Sequence, residues 1–278
     1  MKLAVIGALC RDRIVYGKAP PVSRAGGGVL YAAQALASLG CMAFAVPLLS
    51  AADDDLLAAL SDASIDVRPS WTAVTTEIEL VYPEGTSDDR TVRIVAAVQD
   101  ASPDLSILAG LAGPDAPLGV HFAPLTPREF CRGFFAHCRA VFSGVVCLDA
   151  QGLVRGSPFD YEAEIAHHVD ILKVDEEEAL RLSGLVDVDR AASRFSAWGI
   201  AEVVVTRGSR GSTIYADGER YSIAAVAPAS IVDATGCGDT YIAAYLAGRI
   251  SGVAPREAGT EASAVAAKKL SYQGPLRR

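Results

Sequence analysis

None of the six cysteines (Cys10, Cys41, Cys131, Cys138, Cys147 and Cys237) forms a Cys-x-x-Cys pair, and most lie inside apolar runs. That spacing excludes a zinc ribbon or finger and reads as reduced, buried thiols in a reducing cytoplasm. No apolar run approaches the roughly 20 residues a membrane-spanning helix needs. The opening run of "MKLAVIGALCRDRIVYG" is broken by Arg11, Asp12 and Arg13, so it reads as a buried first strand rather than a signal peptide. No basic cluster interleaved with aromatics is present, and 33 acidic residues outweigh 25 basic ones for a net charge of −8. Nucleic acid and anionic membranes are therefore not the expected partners. No GxxxxGK[ST] occurs, which excludes a P-loop enzyme.

What is present is a chain of 278 residues, 51% hydrophobic and 21% charged, long enough to bury a sizeable core. Short apolar runs alternate with helix-like segments. "KLAVIGAL", "CMAFAVPLL", "PLGVHFAPL", "AVFSGVVCLDA", "VDILKVD" and "AEVVVTRGS" read as strands. "GVLYAAQALASLG", "DDDLLAALSDAS", "TPREFCRGFFAHC", "DYEAEIAHH", "EEEALRLSG" and "VDRAASRFSAWG" read as helices. This alternation predicts an α/β fold with a mostly parallel sheet covered on both faces. Residues 75–98 break the rhythm, alternating polar and apolar around "PEGTSDD", and predict a β-hairpin with one buried face. No linker, repeat or low-complexity tract divides the chain, so a single domain spanning 1–278 is expected.

Four polar turns carry the chemistry. In "DATGCGDTYIAAYLAG", Gly236, Cys237 and Gly238 lead into a small-residue helix with Asp239 in its first turn. Helix starts expose unpaired N–H groups and a partial positive charge, and glycines let an anion approach them. Asp239 is held ionised by that field and can accept a proton from a hydroxyl; its bland alternative is a plain helix cap. In "VVVTRGSRGSTIY", a buried strand delivers Thr206, Gly208, Ser209 and Gly211 to a turn at its carboxyl end, where open α/β sheets bind ligands. An ordinary hairpin turn is the competing account. In "LKVDEEEAL", Asp175 and Glu178 have capping-box spacing, and two such carboxylates also suit the water shell of Mg²⁺. Finally, Gly26, Gly27 and Gly28 open a helix, but Tyr31 stands where a dinucleotide fingerprint needs glycine.

These four segments, in this order, resemble the ribokinase-like (PfkB) family of carbohydrate and nucleoside kinases along nearly the whole chain. The resemblance implies a three-layer α/β sandwich with a small β lid, and an ATP-dependent transfer to a hydroxyl of a small sugar or polyol. It implies Asp239 as general base, with the amides of Gly236, Cys237 and Gly238 as an anion hole. Thr206, Gly208, Ser209 and Gly211 would line the nucleotide, and Asp175 and Glu178 would organise Mg²⁺ through water, Asp175 replacing the family's usual asparagine. Asp233 and Thr235 fall where many members bind a monovalent cation, K⁺ among them. Asp12, Gly27 and Tyr31 match acceptor-binding positions.

Two departures shape these expectations. Tyr31 replaces an asparagine that bonds acceptor hydroxyls in sugar kinases, which keeps a nucleoside kinase open, with Tyr31, Phe122 and Trp71 as stacking surfaces. Only thirteen residues separate Asp12 from Gly26, which predicts a reduced lid of residues 75–98 and one short N-terminal strand, and leaves a homodimer open. A catalytically silent binder is the rival outside enzymes. His121, His137, His167 and His168 show no ligand pattern and read as surface or packing residues. "SGVVCLDAQGLVR" resembles a segment of inositol-kinase-like members, without indicating a role.

Overall fold

The computed structural model describes residues 1–83, 91–97, 105–126, 133–152 and 161–277. Strand β1 (Lys2–Ala8) leads into a hairpin, β2 (Cys10–Tyr16) and β3 (Val22–Gly26), then helix α1 (Gly28–Ser38) and β4 (Met42–Ser50). Short strands β5 (Ile65–Val67) and β6 (Ser70–Thr72) precede β7 (Glu77–Tyr82) and β8 (Thr91–Ala96). Next come β9 (Gly119–Ala123), α2 (Phe134–Val141), β10 (Val145–Asp149), α3 (Tyr161–Ile165) and β11 (Ile171–Asp175). The chain continues through α4 (Glu176–Ser183), α5 (Val188–Ala197), β12 (Glu202–Thr206), β13 (Ser212–Ala216) and β14 (Glu219–Ile223). Two helices, α6 (Cys237–Ile250) and α7 (Pro255–Leu270), complete it.

The main sheet has the order β14-β13-β12-β11-β10-β9-β1-β4-β5, with β6 also on β4. It is parallel from β12 to β5, and only β13 and β14 run antiparallel, as an edge hairpin. This is the mostly parallel α/β sheet the alternating runs predict. Its central strands are buried on both faces, which is why they read as continuous apolar runs rather than alternating ones. On one face lies a cluster containing Ile6, Val120, Phe122, Phe134, Phe135 and Phe195; α1, α6 and α7 fill the other. Helix α6 packs against both α1 and α7. Alanine and glycine at its contacts let the three axes approach closely, so it is buried on nearly every side.

A second sheet, β3-β2-β7-β8, covers the carboxyl end of β1. β7 alternates exposed Glu77 with buried Ile78, Leu80 and Tyr82, as the pattern in 75–98 requires. The short stretch after Asp12 holds two strands, not the single one expected. A tight reversal after Tyr16, with Gly17 in the left-handed region, allows a full hairpin there. "DDDLLAALSDAS" also differs from expectation. Ala51–Leu60 forms 3₁₀ turns kinked at Asp53, whose carboxylate is drawn to Arg11 at 2.8 Å. Residues 84–90 and 98 of the 75–98 segment, and residues 127–132 of "TPREFCRGFFAHC" with Cys131 among them, lie outside the described residues. Among the described residues no helix is long and apolar enough to cross a membrane.

Candidate active site

β1 pairs β4 on one side and β9 on the other, so the chain order reverses at β1. Crevices at the carboxyl ends of strands beside such a switch are the ligand sites of open α/β sheets. The first turn of α6 points there. Gly236 has φ of 77° in the left-handed region, and a Cβ on it would lie 2.1 Å from the Tyr31 ring, so only glycine fits. A Cβ on Gly28 would stand 2.7 Å from Asp239 Oδ1, and one on Gly26 would stand 2.0 Å from Asp12 Oδ2. The glycine run before α1 thus admits two carboxylates, which explains the run without a dinucleotide. Cys237 N–H donates a long 3.3 Å bond to the Ala234 carbonyl, closing the turn.

Asp239 is positioned from a segment whose role the sequence left unassigned. Gln151 Nε2 donates to Asp239 Oδ1 at 3.1 Å, and the Gln151 backbone N–H donates to Asp149 Oδ1 at 3.1 Å. Asp149 and Lys173 face each other in register on β10 and β11, with Lys173 Nζ 2.9 Å from Asp149 Oδ2 and both side chains buried. Lys173 Nζ is also 3.3 Å from where a Gly238 Cβ would stand, so its ammonium lies against the start of α6. Burial works against that charge, but Asp149, Glu178 and Asp239 outweigh it and raise the Lys173 pKa above the ordinary lysine value. Replacing Lys173 by a neutral residue would leave the Asp149 carboxylate buried and unpaired.

Asp175 ends β11 in register with Thr206 at the end of β12. The capping box is present: Glu178 N–H donates to Asp175 Oδ1, and Asp175 N–H to Glu178 Oε2, both at 2.7 Å. The cap uses one oxygen of each carboxylate. Burial pushes the Glu178 carboxyl up to about 7, with Lys173 opposing and Asp149 and Asp175 adding to the shift. Thr206 ends β12 and Gly208, Ser209 and Gly211 lie in the turn that follows, and Glu176 holds both of that turn's arginines, Arg207 Nε at 2.7 Å and Arg210. Ser212, just after the loop, shares a 2.7 Å hydroxyl bond with Tyr241 of α6, tying the loop to that helix.

Asp233 and Thr235 are enclosed by protein donors. Asp233 Oδ2 accepts from Arg24 at 2.6 Å and Gly274 N at 2.9 Å, while Oδ1 accepts from Thr235 N at 2.9 Å. Lys269 Nζ donates to the Asp233 carbonyl at 2.7 Å, and Thr235 Oγ1 shares a 2.9 Å bond with Tyr82 Oη of the second sheet. Burial alone would raise the Asp233 carboxyl, but Lys269, the Gly274 amide and Arg24 hold it below the usual carboxylate range.

Asp12, Gly27, Tyr31, Thr235, Gly236 and Asp239 line one cavity together with Gln151. Ile78, Leu80 and Val92 of the second sheet roof it. It holds about 50 Å³, well below the roughly 300–1,000 Å³ of typical ligand pockets. Thr206, Gly208, Ser209, Gly211, Asp175 and Glu178 are not among its lining residues and form a separate group at the ends of β11 and β12. The stacking surfaces expected for a base are not there. Tyr31 is 1% exposed with its ring against Gly236, although its hydroxyl has no hydrogen-bond partner among the described residues. Phe122 is core, edge-on to Phe134 and Phe135, and Trp71 is exposed on β6 away from the cavity. His121 is fully buried as a packing residue, its pKa lowered to about 4 chiefly by burial.

Gln151, Asp149, Lys173, Arg24 and Lys269 escaped the sequence reading because their partners are distant in the chain. One local signal existed: lysines at 173 and 269 interrupt an apolar strand and the buried stripe of a helix.

The family described as pfkB family carbohydrate kinase matches residues 155–277. Cytidine kinase of Thermococcus kodakarensis is 40% identical over 91 residues, 32% of this chain and 32% of its own length. Ribokinase of Arabidopsis thaliana is 30% identical over 137 residues, 47% of this chain and 35% of its own. The matches thus span about a third of these curated relatives. A solved pyrophosphate-dependent kinase in the ribokinase family, complexed with a pyrophosphate analog and myo-inositol, superimposes with a TM-score of 0.83 at 26% identity. That superposition covers 99% of this chain and 97% of the other.

Proposed function

We propose, since the chain belongs to the ribokinase-like PfkB family, that it is an ATP-dependent kinase acting on a hydroxyl of a small sugar or polyol. The observation that carries this reading is Asp239. It stands in the first turn of α6, held by Gln151, inside a cavity it shares with Asp12. In this reading Asp239 takes the proton from the acceptor hydroxyl while Asp12 and the unpartnered Tyr31 hydroxyl orient the acceptor. Backbone amides at Gly236–Gly238 and the start of α6 receive the transferred phosphoryl group, the Cys237 amide by releasing its long bond to the Ala234 carbonyl, each such contact contributing ~3–4 kcal/mol to the transition state. Lys173, against Gly238, adds positive charge beneath it.

Thr206, Gly208, Ser209 and Gly211 would line the donor. Asp175 and Glu178 fit a divalent cation through the oxygens their cap does not use. The described residues hold no cluster of three or more His, Cys, Asp or Glu suited to a bare ion, so Mg²⁺ would keep much of its water shell. When bound, the ion neutralises charge on the donor's phosphates. The second sheet acts as a lid in one kinase domain with the main sheet. In this reading β7 and β8 lift to admit an acceptor and close to exclude water, which the narrowness of the cavity supports. The acidic chain, with free thiols at its five described cysteines, suits the cytoplasm.

A second reading concerns the donor. The solved neighbour described as pyrophosphate-dependent extends over nearly all of both chains, which favours testing inorganic pyrophosphate beside ATP. A nucleoside acceptor draws on the likeness to a cytidine kinase, but the covered Tyr31 ring offers no stacking surface. The test is a grid of ATP and pyrophosphate against pentoses, hexoses, inositols and nucleosides, read by phosphorylated product. Product from a sugar or polyol with ATP is expected. Product from pyrophosphate alone would replace the donor, nucleoside-only product would replace the acceptor, and no product anywhere would favour a silent binder.

A further inference from the structure

Lys269 occupies a place that lysines rarely occupy. It lies in the last turn of α7 and is 0% exposed. A lysine there ordinarily sits near its own helix's last carbonyls, which accounts for the 3.3 Å bond to the Tyr272 carbonyl. It does not account for the 2.7 Å bond to the Asp233 carbonyl, 36 positions away. Nor does it account for an Asp233 carboxylate oxygen at 3.7 Å or the Tyr31 ring centre at 5.7 Å. Two carbonyls, a carboxylate and an aromatic face therefore surround one ammonium whose three N–H groups have only oxygen and π partners. Arg24, from β3, reaches the same carboxylate from the other side. Burying an unpaired ion is costly, so removing either partner would strand the other charge inside the protein.

The turn so held, 233–236, leads straight into the first turn of α6. The family resemblance implies a free monovalent cation on Asp233 and Thr235, and these residues do not fit one. Both Asp233 carboxylate oxygens, its carbonyl and the Thr235 hydroxyl are engaged by other groups of the chain. We propose that the Lys269 ammonium is a built-in cation that positions the turn at the start of α6, so that this chain needs no potassium or other monovalent ion. Its bearing on catalysis rests on the kinase reading; its bearing on folding does not.

The test measures thermal melting of the full chain in KCl, NaCl and choline chloride at equal ionic strength, with phosphoryl transfer followed in parallel. The wild-type protein is expected to melt at the same temperature in all three salts and to turn over equally. Lys269→Ala opens space beside the same oxygens, so it should melt several degrees lower in choline chloride and recover, saturably, in KCl. A saturable rise in wild-type melting temperature or turnover specific to KCl overturns the proposal. So does a Lys269→Ala protein that matches wild type in choline chloride. If that variant does not fold in any salt, the wild-type series decides alone. Absence of phosphoryl transfer in every salt would remove the kinase reading while leaving the melting result to judge Lys269.

Discussion

The turns at Asp175 and at Asp233 each precede a helix that begins at the candidate site, and burial pushes the carboxyl groups of both regions upward. Their outcomes are opposite. Beside Asp175, burial raises the Glu178 carboxyl to about 7, with Lys173 opposing the rise and the Asp149 and Asp175 charges adding to it. At Asp233, Lys269, Arg24 and two amides close on one carboxylate and hold it low. Residue type does not separate the two places; the ratio of cations to carboxylates does, since Lys173, Arg207 and Arg210 are shared among Asp149, Asp175, Glu176 and Glu178, whereas Arg24 and Lys269 both serve Asp233. One region is left short of positive charge, as a site for a divalent ion would be, and the other has been neutralised from within.

The largest effect should come from stripping the neutralised turn. Asp233→Ala leaves Lys269 and Arg24 buried without their shared anion and should cost about 3–5 kcal/mol by equilibrium denaturation. A loss under ~1 kcal/mol would break the contrast. Next is Glu178→Gln, which keeps the side-chain acceptor but removes the titration. Glu178 has a folded pKa raised above its unfolded value, so its contribution is fully present below about 4.5 and is lost as pH rises through about 7. Wild type should therefore lose on the order of 2 kcal/mol relative to Glu178→Gln between pH 5 and pH 8. Parallel pH profiles of melting temperature would show that burial does not strain this carboxyl. Smallest is Asp175→Ala, which removes a helix cap and should cost ~1 kcal/mol in denaturant unfolding. A much larger loss would mean that Asp175 holds more than the first turn of α4.

Local chemistry was legible in the sequence wherever cause and effect lie within a few residues. The capping box of Asp175 and Glu178, the glycine turn before Asp239 and the alternation in β7 all stand as their spacing suggests. Contacts between distant segments were not legible. Gln151 reaches Asp239 across 88 positions and Arg24 reaches Asp233 across 209, and no periodicity records such meetings. The burial of the Tyr31 ring was not legible for the same reason: its neighbour Gly236 is far off in the chain, and only folding lays the ring against it. The second sheet was underestimated because thirteen residues suffice for a hairpin once the turn after Tyr16 is tight.

The most direct test of the account is Asp239→Asn, which keeps the shape of the side chain and removes its ability to take a proton. Phosphoryl transfer to the acceptor found in the grid should fall at least ~10²-fold while calorimetry still detects donor and acceptor binding. Turnover within a few-fold of wild type would contradict Asp239 as the base and the active site built around it.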